Sequence, residues 1–134
     1  MTPKHIVAVI DYGSQYTQLI VRRVRELGFL AKLYALEDLH EISEPGAIIL
    51  SGGPASVYAE NAPRCDKNIF ELDIPILGIC YGLQLIIHTL GGKIQRSSAR
   101  EYGNAELKIN SSSGLFENIP PITNVWMSHG DKAV

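Results

Sequence analysis

Residues 77–84 read LGICYGLQ. An apolar run ends there on a cysteine held between Gly78 and Gly82, and a helical pattern begins at the next residue. A buried structural cysteine needs no such turn. A reactive cysteine does: a nucleophile lifted on a sharp strand-to-helix bend needs glycines on either side, because the chain crosses itself closely there. The N-terminus of the following helix then turns unpaired N–H groups and partial positive charge toward the sulfur, which favours the thiolate. Cys80 is therefore a candidate nucleophile, with an inert cysteine between two glycines as the alternative.

The pattern around this stretch sets the fold class. Apolar, β-branched runs recur at Ile6–Ile10, Phe29–Tyr34, Ala47–Leu50 and Ile74–Ile79. The first, third and fourth are continuous, as in strands buried on both faces. Between the first two runs, Tyr16, Leu19, Ile20, Val24 and Leu27 predict one apolar helix face, with Arg22, Arg25 and Glu26 off it. Ser14 is placed to cap this helix and Gly28 to end it. Strand, helix and strand in about 30 residues is a βαβ unit. A second helix is expected within Pro63–Leu72. A third, from Gly82 to Leu90, is closed by Gly91-Gly92 and is apolar nearly all round, so burial is expected. Glu106–Asn110 and Asn124–Met127 predict shorter strands, and Ser111–Gly114 a turn. The expected class is α/β, a mostly parallel sheet with flanking helices, in one domain over residues 1–134.

Composition agrees and excludes other classes. The 134 residues suit a single domain, large enough to bury roughly two-thirds of its unfolded surface. Apolar residues make up 46% and charged residues 19%, a globular balance. The net charge of −2, with both signs scattered, lacks the basic stripe that holds phosphates, so no nucleic-acid partner is expected. No run approaches the ~20 apolar residues of a membrane span, and Ile6–Ile10 is too short for a secretory leader. Cys65 and Cys80 form no metal spacing, and His5, His40, His88 and His129 lie singly, so no metal site is expected. These features predict a reducing cytoplasm.

Ligands of parallel sheets bind at the carboxyl ends of the strands. Three segments lie there: Asp11–Gln15, Ser51–Pro54 and Cys80–Gly82. Attack of a thiolate on a carbonyl makes an oxyanion, which needs hydrogen-bond donors. Gly53 keeps its N–H and blocks nothing, whereas Pro54 has no N–H to give. The Tyr81 N–H, next to the cysteine, is the natural second donor. Alone, Gly-Gly-Pro is a weak signal and reads more readily as a tight turn. A phosphate loop has no support, since neither G-x-x-x-x-G-K-[ST] nor a G-x-G-x-x-G after a strand occurs. Gln84, one helical turn past Cys80, can donate to and accept from an amide, although polar residues near helix starts often face only solvent. Asp131, in SHGD, can hold an ammonium group or simply belong to a loop. Cys65, among Arg64, Asp66 and Lys67, reads as an incidental thiol.

Taken in order, IDYGSQYTQLIVRRVRE (10–26), ILSGGPASVY (49–58), ILGICYGLQLI (76–86), REYGNAEL (100–107) and VWMSHGD (125–131) resemble the class I (Cys-type) glutamine amidotransferase family, with its flavodoxin-like fold. DYGSQY favours the branch that serves GMP synthesis. The resemblance implies that Cys80 attacks the carboxamide of glutamine and that Gly53 and Tyr81 stabilise the oxyanion through backbone N–H groups. It also implies that Gln84 binds substrate, and that Ser128, His129 and Asp131 hold the amino-acid end. It implies no cofactor in this domain. ATP and Mg belong to a separate ATP pyrophosphatase domain of a longer, homodimeric protein that aminates xanthosine monophosphate to GMP, a carbon–nitrogen ligase reaction.

One departure is plain. The family's base is a histidine in a His-Pro-Glu stretch, and none occurs here. The chain is thus expected to be C-terminally incomplete and inactive alone. His129 matches the substrate-side segment rather than the base. Two other functions compete: an amidotransferase serving another synthase, such as one of anthranilate type, and a flavodoxin-like binding module that hydrolyses nothing.

Overall fold

The structure, a computed structural model, describes residues 6–53, 67–110 and 114–133, with side chains throughout these except at 67, 95–103 and 126–133. Residues up to Ile94 form one compact unit, and Gln95–Lys132 form a second.

The first unit holds a four-stranded sheet built from β1 (Ile6–Ile10), β2 (Leu30–Tyr34), β3 (Ala47–Leu50) and β4 (Ile76–Gly78). The order is β2-β1-β3-β4, with every pairing parallel. Register is set at the centre, where Ile10 faces Tyr34 on one side and Leu50 on the other. Two helices cover the faces. Helix α1 (Thr17–Glu26) joins β1 to β2, and α2 (Tyr81–Thr89) follows β4. Alternation along β1 separates two cores. Val9 packs with Val21 of α1 and Ala31. Ala8 and Ile10 face the other way, toward Ile48, Leu50, Tyr81 and Leu85.

Both helices end in the same way. The Phe29 N–H donates to Val24 O and the Gly28 N–H to Arg25 O, with Gly28 at φ +92°. At α2, the Gly92 N–H donates to Ile87 O and the Gly91 N–H to His88 O, with Gly91 at φ +88°. Each is a Schellman motif, and its left-handed residue is a glycine because a Cβ is disfavoured there.

The α/β class and the parallel sheet are as expected, but several details differ. Tyr16, Leu19 and Leu27 do not face the core; they are exposed, and α1 buries Thr17 and Val21 with Ile20 and Val24 beside them. The stripe 17/20/21/24 includes a threonine, which a purely apolar count overlooks. Ser14 lies two residues before the cap, Tyr16, and accepts the Tyr16 N–H at 3.0 Å through its hydroxyl. Helix α2 is not buried all round: Tyr81, Gly82 and Leu85 are buried, whereas Leu83 and Leu90 are exposed. β4 lies at the sheet edge and leaves Leu77 partly open. It is shorter than Ile74–Ile79, although Pro75 O still accepts the Ile48 N–H and the Ile79 N–H still donates to Leu50 O. In place of a second α-helix, Lys67–Glu71 form a 3₁₀ turn, and residues 63–66 lie outside the described residues. A further 3₁₀ turn, Leu36–Glu41, had no apolar periodicity to announce it.

The second unit is a two-stranded sheet of β5 (Ile94–Lys108) and β6 (Ile122–Ala133), separate from the parallel sheet. Both strands run well past the expected Glu106–Asn110 and Asn124–Met127. Along the end of β5, Ala105 and Leu107 are half-buried while Asn104, Glu106 and Lys108 are exposed, the alternation of a one-sided sheet. The turn expected at Ser111–Gly114 falls mostly outside the described residues; Gly114 opens a 3₁₀ turn.

The observed faces of α2 make a stability contrast. Leu85→Ala should destabilise the protein by about 2–5 kcal/mol, the cost of a cavity in a closed core. Leu83→Ala should cost less than about 1 kcal/mol, as expected for an exposed side chain. Urea unfolding of the two variants measures both.

Candidate active site

The strand order reverses between β1 and β3, and this switch point is where parallel sheets present ligand sites. Asp11–Ser14 leave β1 there, Ser51–Gly53 leave β3, and Cys80 leaves β4.

Cys80 is the N-cap of α2, with φ 53° and ψ −113°. A non-glycine residue at positive φ is uncommon and carries local strain. That conformation turns the chain from strand to helix within one residue. Hydrogen bonds hold it, among them one within the turn from the Gly82 N–H to Ile79 O at 3.0 Å. The Ile79 N–H donates to Leu50 O at 2.9 Å, the Gly82 N–H to Ser51 O at 3.1 Å, and the Gln84 N–H to Cys80 O at 3.2 Å. The glycines are a steric requirement. A Cβ at 82 would overlap the Leu50 carbonyl, and one at 78 would come within 2.7 Å of both Leu83 N and the Ile86 side chain. The outcome is an exposed thiol at the rim of the sheet.

The glycine loop lies alongside. A Cβ at Gly52 would sit 3.3 Å from Cys80 Cβ, so only an absent side chain leaves open space beside the cysteine. A Cβ at Gly53 would overlap the Tyr12 carbonyl. Among the described residues, the Gly53 N–H has no acceptor. Pro54 lies outside the described residues, as does Cys65. Tyr81 is buried behind the cysteine, and its ring lies 5.5 Å from that of Tyr12, tilted by 55°. Gln84 is half-buried, one turn along α2.

Thus Cys80, Tyr81, Gln84 and the Gly52-Gly53 loop share one edge of the first unit. Ser128, His129 and Asp131 do not sit in a loop: they lie within β6 of the second unit, and their side chains are outside the described residues. Among the described residues, no group of histidine, cysteine and carboxylate side chains could hold a metal ion, and no helix is long and apolar enough to cross a membrane.

Three residues that build the site had no role assigned to them from the sequence, although Asp11 and Ser51 lie in segments expected at this edge. Ser51 is fully buried, and its hydroxyl accepts the Tyr12 N–H at 3.2 Å and meets the Thr17 hydroxyl at 3.2 Å. Thr17, also buried, reaches Ser14 O at 3.1 Å and Asp11 Oδ1 at 3.3 Å. Asp11 Oδ1 accepts the Gly13 N–H at 2.8 Å. Tyr12 joins this network through its backbone and Tyr81 through its ring. DYGSQYT thereby acquires a physical role: it ties the end of β1 to the glycine loop. The available signal was Thr17 itself, a hydroxyl placed on the buried stripe of an otherwise apolar helix face.

A family model, glutamine amidotransferase class-I, matches residues 8–134. The chain belongs to this family. Among similar proteins, the GMP synthase [glutamine-hydrolyzing] of Bacillus subtilis is 53% identical over 133 residues, covering 96% of this chain and 26% of that protein. That of Aquifex aeolicus is 56% identical over 131 residues, with the same coverage. The chain therefore spans about a quarter of the length of these relatives and matches their glutamine amidotransferase part. Among solved structures, a putative GMP synthase subunit from Thermoplasma acidophilum superposes with a TM-score of 0.80 at 29% identity, over 98% of this chain and 67% of that one. A glutamine amidotransferase of Thermotoga maritima, at 23% identity and a TM-score of 0.77, shares the fold over 96% of this chain and 62% of its own.

For this amidotransferase chain, the elbow geometry fixes two outcomes. Cys80 should be alkylated by iodoacetamide in the folded protein, as read by mass spectrometry of the Cys80 peptide. Gly82→Ala should lower the unfolding midpoint and change that alkylation rate, because α2 can no longer cross β3 at the Leu50 carbonyl.

Proposed function

We propose that this chain is the glutamine-hydrolysing part of a GMP synthase, and that Cys80 is its nucleophile. The observation that carries the proposal is the elbow: an exposed thiol at positive φ on the N-cap of α2, beside the side-chain-free Gly52.

The chemistry follows from that placement. The Cys80 thiolate attacks the side-chain carbonyl carbon of glutamine, and the carbonyl oxygen becomes an oxyanion. The N–H groups of Gly53 and Tyr81 stabilise it, each such donor being worth about 3–4 kcal/mol in a preorganised site. Collapse of this intermediate, with a proton delivered to nitrogen, expels ammonia and leaves a γ-glutamyl thioester. Water then attacks the thioester, releasing glutamate and the thiol. Gln84 binds the carboxamide side of the substrate. The proton steps need a general base, for which these 134 residues contain no His-Pro-Glu stretch.

In the longer protein, the ammonia serves the ATP-dependent amination of xanthosine monophosphate. ATP and Mg are held there by an ATP pyrophosphatase domain and not by this chain, the assembly is a homodimer through other regions, and the reaction is cytoplasmic. The relatives named GMP synthase, of which this chain matches about a quarter, support the reading as part of a longer GMP synthase.

In the full-length protein, Cys80→Ala should lower glutamine-dependent glutamate release by at least about 10³-fold while ammonia-dependent GMP formation persists, since only the nucleophile is gone. Retained glutamate release would remove Cys80 from the mechanism. Residues 1–134 made alone should release glutamate at least about 10²-fold more slowly than the full-length protein, the size of a missing general acid–base.

A further inference from the structure

We infer that Ser51 is a positioning residue for the oxyanion donor: its buried hydroxyl fixes the Gly52–Gly53 peptide plane, and Thr17 holds that hydroxyl in place. The inference rests on the assignment of Cys80 and Gly53 above.

A serine hydroxyl has one proton and two lone pairs. At Ser51 all three are engaged. The lone pairs face the Tyr12 N–H at 3.2 Å and the Thr17 hydroxyl at 3.2 Å. The proton is then left for Gly52 O, also at 3.2 Å. Both hydroxyl-bearing residues are buried, at 0% and 1% exposure, so water is not at hand to replace any of these bonds.

The consequence lies across the peptide bond. Gly52 C=O and Gly53 N–H belong to one planar unit and point in opposite directions. Pinning the oxygen pins the amide. Two consecutive glycines otherwise rotate freely, because neither has a Cβ to restrict φ and ψ. Gly53 must be a glycine, since the Tyr12 carbonyl occupies the space of its side chain, and a Cβ at Gly52 would press on Cys80 at 3.3 Å. The loop thus has a steric need for residues that cannot hold their own orientation, and the Ser51 hydroxyl supplies the missing restraint. Ser51 uses its backbone in the same cause: its carbonyl accepts the Gly82 N–H, the amide two residues past the cysteine. One residue therefore ties the donor loop and the nucleophile turn together. Thr17, whose single proton then goes to Ser51 Oγ, sets the direction of that hydroxyl from its own buried place on α1.

The test compares Ser51→Ala, Thr17→Val and Thr17→Ser in the full-length protein, with Cys80→Ala as control. Ser51→Ala and Thr17→Val should lower kcat for glutamate release by about 10- to 100-fold, less than outright loss of a donor, with KM for glutamine within about 3-fold of the parent. Thr17→Ser, which keeps the hydroxyl, should restore kcat to within about 3-fold. Alkylation of Cys80 by iodoacetamide, which needs no oxyanion donor, should be unchanged in all three. The inference is overturned if Ser51→Ala and Thr17→Val keep parental kcat, if their loss appears in KM instead, or if Thr17→Ser is as slow as Thr17→Val. Should Ser51→Ala fail to fold, the Thr17 pair decides by itself. Glutamate release retained by Cys80→Ala would instead sink the assignment on which the inference rests.

Discussion

The first turn of α2 crosses the end of β3 so closely that a Cβ at position 82 would overlap the Leu50 carbonyl. The rest of the site depends on this crossing. With the side chain absent, the Gly82 N–H reaches Ser51 O, and α2 lies against Ile48 and Leu50 with Tyr81 and Leu85 buried beneath it. The chain must then reverse from strand to helix at residue 80, which carries the strain as a positive φ. Burial of Tyr81 and Leu85 offsets that strain, since fully burying each large apolar side chain contributes roughly 1.5–3 kcal/mol. Packing on the inner side of α2 thus holds an exposed sulfur on the outer side.

A second constraint acts from β1. Its last residues occupy the sheet centre, hydrogen-bonded on both sides, so Asp11 and Tyr12 emerge at a fixed position. The Tyr12 ring backs Tyr81, its N–H meets Ser51, and its carbonyl fills the space a side chain at 53 would need. Three loops far apart in sequence become one rim because each leaves a neighbouring strand of the same sheet.

Much of this was legible beforehand, for identifiable reasons. Continuous β-branched runs named the strands, since a buried parallel sheet demands them. Gly78 and Gly82 about Cys80 named the elbow, and Gly28 and Gly91 named the helix ends, because glycine tolerates those conformations. The buried face of α1 was only partly legible: Ile20 and Val24 pack against the core as expected. Tyr16, Leu19 and Leu27 are apolar yet exposed, while the side that faces the sheet includes Thr17, whose burial is compensated by the contacts of its hydroxyl with Ser51, Ser14 and Asp11. Ser51 was hidden likewise: a serine before two glycines reads as a turn until its partners Tyr12 and Thr17 are seen. The long strands β5 and β6 carry many charged and polar residues, so their extent follows from mutual pairing and not from hydrophobic pattern. For the same reason SHGD read as a loop.

The central claim is that Cys80 itself carries the glutamyl group during turnover. It is tested most directly by quenching the full-length protein with acid while it hydrolyses glutamine and sequencing the Cys80 peptide by mass spectrometry. A mass increase of one glutamyl residue on Cys80, absent without glutamine and lost on treatment with hydroxylamine, is the expected result. Steady glutamate release with the Cys80 peptide always unmodified, under quenching fast enough to catch a thioester, would contradict it.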